Sequence, residues 1–154
     1  MRLTVGRVII GLVAIFGLIQ LLPNRVTNPP ARHEPTWDSP QTLALAKTAC
    51  FNCHSNQTHL YWFEKIAPVS WWIKNHVDDG RAKLNFDEWQ PGRGGGRAAR
   101  TVLRGSMPPS YYYWLGLHAD AKLTPSQRQQ LAQGLQATLG PGGFDQGGRN
   151  QQGG

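Results

Sequence analysis

Cys50-Phe51-Asn52-Cys53-His54 reads C-x-x-C-H and uses both cysteines of the chain. On a helical turn, side chains three and four residues apart share one face. Two thiols at that spacing can add to the two vinyl groups of one porphyrin, and the histidine that follows can ligate the iron beneath the ring. The pattern is the attachment signature of one covalently bound haem c. The same cysteines could instead form a redox dithiol or bind zinc. The βαβ pattern of a thioredoxin is absent, however, and a structural zinc site needs a fourth ligand from elsewhere.

A haem iron held by His54 has a second axial position, and its occupant decides the function. Met107 leads by elimination, because the only other methionine is Met1. Pro108 and Pro109 follow it, prevent helix and stiffen the loop that would present the thioether. Imidazole with thioether is an electron-transfer arrangement, and the thioether raises the reduction potential. The histidines are rivals. His59 follows His54 too closely to reach the opposite face of the ring. His76 falls on an apolar helical stripe and reads as a packed core histidine. His118, after Leu115-Gly116-Leu117, reads as a surface or loop-anchoring residue, and His33 as a solvated linker residue. Arg97, Arg100 and Arg104 share a helical face that either pairs with haem propionates or is simply solvated. Trp71, Trp72 and Trp89 either line the haem pocket or belong to the core. Asn56-Gln57-Thr58 matches the N-glycosylation pattern, a frequent chance match.

These groups need helices to position them. Asp38-Ser39-Pro40 has the form of a helix start, with Asp38 or Ser39 as N-cap and Pro40 in the first turn. That helix carries the C-x-x-C-H motif at its C-terminal end. A second begins near Pro68-Val69-Ser70 and ends near Gly80. Residues 91–96 form a Gly-rich loop without a phosphate-loop signature, and residues 97–103 a short helix. Asn85-Phe86-Asp87-Glu88-Trp89 reads as a loop or a short helix start. Thr124-Pro125-Ser126-Gln127 is a capping box, and Leu131, Leu135 and Leu139 form the buried stripe of the helix it opens, with Gly140 as its stop.

The ends are of a different composition. Arg2 and Arg7 precede an uncharged run over residues 8–22 with no A-x-A cleavage site, so residues 1–22 are expected to be an uncleaved signal-anchor, a transmembrane helix. The positive-inside rule puts the N-terminus in the cytoplasm, with the rest across the membrane. Residues 23–37 are a Pro-rich linker, 38–140 the haem-binding domain of about 100 residues, and 141–154 a disordered Gly/Gln-rich tail. The net charge is +7, but the basic residues are scattered and no nucleic-acid motif is present, so no nucleic-acid partner is expected.

Several separate segments resemble the bacterial haem-binding domain family related to cytochrome c. They are Cys50-Phe51-Asn52-Cys53-His54, Ile66-Ala67-Pro68-Val69-Ser70-Trp71, Gly80-Arg81, Leu84-Asn85-Phe86 with Glu88-Trp89, and Ser106-Met107-Pro108-Pro109. Asn28-Pro29-Pro30 and the run from Leu117-His118-Ala119-Asp120 to Ala121-Lys122-Leu123 add to them. The resemblance covers roughly residues 20–140. It implies a monohaem domain with His54 as proximal and Met107 as distal ligand. The sequence departs from the family in the Gly92-Arg93-Gly94-Gly95-Gly96 loop and in the tail.

The expectation is an all-α, small cytochrome c-like helical domain around one haem, with an N-terminal transmembrane anchor helix. It would sit in the inner membrane as a single-pass protein with its haem domain in the periplasm. It would pass electrons to a redox partner protein and would not be an enzyme. The alternative is a haem-based gas sensor or peroxidase-like enzyme with an exchangeable distal position.

Overall fold

The computed structural model of the chain describes residues 2–22, 24–92 and 94–140. The tail expected to be disordered, residues 141–154, lies outside the described residues. Among the described residues the chain is helical, with no strand and a single parallel bridge between His33 and Glu88.

Helix α1 covers Arg2–Ile19 and exposes its side chains from residue 4 to residue 18. The expectation of a spanning anchor over residues 1–22 is corrected. Among the described residues no helix is long and apolar enough to cross a membrane. The 18 residues of α1 extend about 27 Å at 1.5 Å per residue. That falls short of a hydrocarbon core of about 30 Å, and Arg7 lies inside the helix. The end of α1 is tied to the domain by one side chain. Gln20 Nε2 donates to the Ala67 carbonyl at 3.1 Å, and Ala67 N–H donates back to Gln20 Oε1 at 2.9 Å.

Helix α2 (Pro40–Ala49) starts as its sequence dictates. Ser39 is the N-cap, its Oγ accepts from the Thr42 N–H at 3.2 Å, and Pro40 opens the first turn. The helix breaks at Cys50, where φ is −127°, and resumes as the single turn α3 (Phe51–His54). Helix α4 (Val69–Lys83) runs past Gly80, the expected end. Helix α5 covers Gly95–Leu103. Its N-cap, Gly94, has φ +85°, a left-handed conformation that glycine adopts without steric cost. Helix α6 (Pro125–Leu139) has the expected capping box: Gln127 N–H donates to Thr124 Oγ1 and Thr124 N–H to Gln127 Oε1. It ends at Gly140, whose φ is +80°.

The core lies between α2, α5 and α6. Leu131, Leu135 and Leu139 are buried there as their spacing predicts, with Leu45, Phe51, Phe86 and Val102. Trp37 packs its ring at a tilt against Phe51 and Phe86, which stack on each other. Glycine lets α6 approach α2: a Cβ on Gly134 would sit 2.0 Å from Thr42 Oγ1.

The segment expected as a linker is extended, yet it is bonded to the domain. Asn28 pairs through its amide with both backbone groups of Thr58. Arg32 and His33 donate their N–H groups to the Asp87 carbonyl, and Trp89 N–H donates to the His33 carbonyl at 2.9 Å. Arg81 sits at the centre of this knot. Its guanidinium donates to the Ser55 and Thr27 carbonyls, Asn28 Oδ1 and Thr58 Oγ1. Asn56 is buried and its side chain bonds Asn85 and Glu88. The glycosylation pattern is therefore sterically closed in the folded chain.

Candidate functional site

The C-x-x-C-H residues line one wall of a cavity of about 340 Å³. That volume falls within the range of about 300–1,000 Å³ for small-molecule sites. Cys50 closes α2 and opens α3, and His54 N–H donates to the Cys50 carbonyl at 2.9 Å. This turn holds both thiols and the imidazole at one cavity. Met107, Pro108 and Pro109 border the same cavity, more than fifty positions on in the sequence. The fold thus brings together all four residues singled out as site residues: Cys50, Cys53, His54 and Met107.

The His54 ring is oriented from outside. Its Nδ1 lies 2.9 Å from the Leu84 carbonyl oxygen. A carbonyl only accepts, so Nδ1 carries the proton and Nε2 keeps the lone pair. Fixing one ring nitrogen in this way is how proteins orient metal-ligating histidines. Burial pushes the His54 pKa down, against the upward pull of the Leu84 and Gly80 carbonyls, which favours the neutral ring. The thiols move the other way. Burial, with Cys53 nearby, pushes Cys50 up to about 12. Burial and the Glu64 charge push Cys53 up to about 11. Both are protonated at neutral pH, the reverse of the depressed thiol of a reactive dithiol.

Gly80 explains why α4 does not end where the sequence suggests. A Cβ there would lie 2.3 Å from the Cys53 carbonyl oxygen, so only glycine lets α4 pass directly against the motif turn. We expect Gly80→Ala to cost about 1–3 kcal/mol as an overpacked contact, although alanine is the better helix former. Chemical denaturation of the variant gives the value, and a stability equal to or above the parent's would refute the contact.

The other expected residues are distributed unequally. Arg97 borders the cavity, whereas Arg100 and Arg104 are not among its lining residues; Lys83 and Asp79 join Arg97 there. Of the three tryptophans, Trp71, Trp72 and Trp89, none lines this cavity. Trp72 is exposed and borders a second cavity of about 180 Å³, and Trp89 packs against the core. His59 is exposed and also faces the second cavity. His118 is not a plain surface residue. Its ring stacks on Tyr112 at 4.2 Å, and its Nε2 is 3.7 Å from Glu64 Oε1. His33 has an exposed side chain, as expected, but its backbone is held. His76 is corrected: it is half-buried and borders both cavities instead of packing in the core. Its helical stripe is real, but the face it marks looks onto the second cavity, and of the stripe only His76 also reaches the first.

Three features of the site escape sequence reasoning. The Leu84 carbonyl is a backbone group and carries no side-chain signal. Lys83 reaches the cavity only because α4 continues beyond Gly80. Asn52, inside the motif, donates through Nδ2 to the Tyr112 hydroxyl at 2.5 Å and so ties the motif turn to the segment after Met107. The Tyr111-Tyr112-Tyr113 run beside Pro109 was the available signal for that tie.

A family model described as haem-binding domain matches residues 14–137. The chain belongs to the haem-binding domain family. No curated protein and no solved structure matches it. The cavity of this haem-binding domain suits its cofactor in the chemistry of its donors. A neutral imidazole with a free nitrogen and a thioether border one space. Two protonated thiols lie at the same wall, and the basic groups Lys83 and Arg97 border it too, where carboxylates can be met.

Proposed function

We propose that this haem-binding domain is a monohaem c-type cytochrome that transfers electrons. Cys50 and Cys53 hold the haem by thioether bonds, His54 is the proximal ligand and Met107 the distal one. The observation that carries this reading is the His54 ring, pinned through Nδ1 to Leu84 with Nε2 free, on a cavity that also has Met107 on its wall. When bound, the haem supplies an iron that cycles between two oxidation states. The protein's part is to hold that iron with little rearrangement. Leu84 fixes the imidazole, Pro108 and Pro109 stiffen the chain at Met107, and Phe86 and Leu135 add apolar wall that excludes water. Lys83 and Arg97 offer positive charge to the propionates.

The exposed apolar helix α1 supports attachment to a membrane, by embedding in it without a full span. We place the domain on the periplasmic face of the inner membrane, where c-type haem is attached. Its partner there is a redox protein of unidentified nature. No catalytic step is assigned to it.

The test is the optical spectrum of protein matured with the cytochrome c machinery. The parent is expected to be low-spin and indifferent to carbon monoxide. Met107→Ala is expected to lose the sulfur-to-iron charge-transfer band and to fall in reduction potential by on the order of 100 mV, because the thioether raises it. A parent spectrum that shifts with carbon monoxide would move the assignment to a gas sensor or peroxidase-like enzyme. A matured protein without haem would return it to the dithiol or zinc reading.

A further inference from the structure

His76 is a second histidine on the wall of the larger cavity, beside His54 and Met107. Its Nδ1 lies 2.8 Å from the Trp72 carbonyl oxygen, one turn back on α4. The carbonyl accepts, so Nδ1 carries a proton, and in the neutral ring the lone pair is on Nε2. This is the arrangement that Leu84 imposes on His54. Two imidazoles on one cavity are thus both set in a ligating tautomer.

The His76 ring is also held in place. Trp72 packs on it at 4.2 Å between centroids, and Tyr111 meets it edge-on at 5.7 Å. Tyr111 belongs to the 3₁₀ segment Ser110–Gly116, which directly follows Met107-Pro108-Pro109. His76 therefore packs against the same short stretch of chain that presents Met107. Met107 itself lies on the rim of the cavity, 36 % exposed, and is not locked in the core.

We propose that His76 is a reserve axial ligand, whose Nε2 takes the distal iron position when the Met107 sulfur leaves it. The inference rests on the reading of His54 and Met107 as the resident pair. In the exchange the sulfur–iron bond breaks and a nitrogen–iron bond forms. The thioether and the neutral imidazole each give one electron pair, so no electron moves and the iron keeps its oxidation state; an imidazolium would first release its Nε2 proton to solvent. The site stays six-coordinate and closed to diatomic ligands, while its potential falls with the loss of the thioether. The domain would then exist as a higher-potential and a lower-potential electron carrier.

Four haem-loaded full-length proteins test this: the parent, Met107→Leu, His76→Phe and the double variant. Leucine keeps the methionine volume and phenylalanine keeps the ring packing, so each substitution spares the fold. Ferric samples are read by electron paramagnetic resonance and ferrous ones by carbon monoxide uptake. His76→Phe is expected to match the parent. Met107→Leu is expected to show a bis-imidazole signal and to take up carbon monoxide at least about 10-fold more slowly than the double variant, which should be high-spin. Met107→Leu that is high-spin and as fast as the double variant overturns the reserve role and leaves Met107 as resident ligand. His76→Phe that turns high-spin makes His76 the resident ligand and overturns both readings. Met107→Leu identical to the parent also removes Met107 from the iron and overturns both.

Discussion

His54→Ala is expected to reduce the yield of stably ligated haem by at least about 10-fold. Loss of a partner that merely orients a metal ligand costs about 10–100-fold in metal affinity, and loss of the ligand itself should cost no less. The geometry makes the effect specific. The His54 lone pair is available because Leu84 fixes the other nitrogen, and no other group on the motif turn carries an imidazole. Cys50 and Cys53 remain in the variant, so haem attached by thioethers without its proximal ligand is the expected residue. The ratio of haem to protein absorbance, with the spin state of what remains, measures the loss. A His54→Ala protein with a parent-like low-spin spectrum would remove His54 from the iron.

Asp87→Ala is expected to cost about 3–4 kcal/mol of folding stability, a large share of the roughly 5–15 kcal/mol available to a domain. Asp87 is fully buried, at 0 % exposure. One carboxylate oxygen accepts from the buried Asn56 N–H at 2.7 Å, and the Gln57 amide reaches the other at 3.0 Å. Removal of the carboxylate leaves the Asn56 N–H without an acceptor and takes away one of the negative charges near the Arg81 guanidinium, beside those of Asp78 and Glu88. Asp87→Asn retains an acceptor oxygen and should recover part of the loss. Urea unfolding of both variants, with equal slopes, gives the comparison. A loss below about 1 kcal/mol for Asp87→Ala would show that the knot does not depend on this carboxylate.

The knot around Asp87 shows where sequence reading stopped. Asn28-Pro29-Pro30, Gly80-Arg81 and Leu84-Asn85-Phe86 stood out as separate family-like segments, with no reason for their association. The structure supplies it: Arg81 and Asp87 bind the extended residues 27–33 and the loop after the haem motif into one polar cluster. Such bonds join residues 20 to 60 positions apart, and local pattern carries no record of that pairing. The helix termini were legible for the opposite reason. Ser39 with Pro40, and Thr124 with Gln127, satisfy backbone donors within four residues, so their chemistry is visible in a short window. Gly80 misled because glycine often stops a helix, whereas here it is the close approach of the Cys53 carbonyl that excludes a side chain.

The haem motif, the all-helical character, the capped starts of α2 and α6 and the leucine stripe of α6 were determined by the sequence alone, since each depends on contacts within one or two turns. Only the tertiary structure decided that Met107 meets His54 at one cavity, that Leu84 sets the imidazole tautomer, and that His76 faces that cavity instead of the core. Those features depend on how α3, α4 and the Met107 loop pack together, and packing is a property of the whole chain.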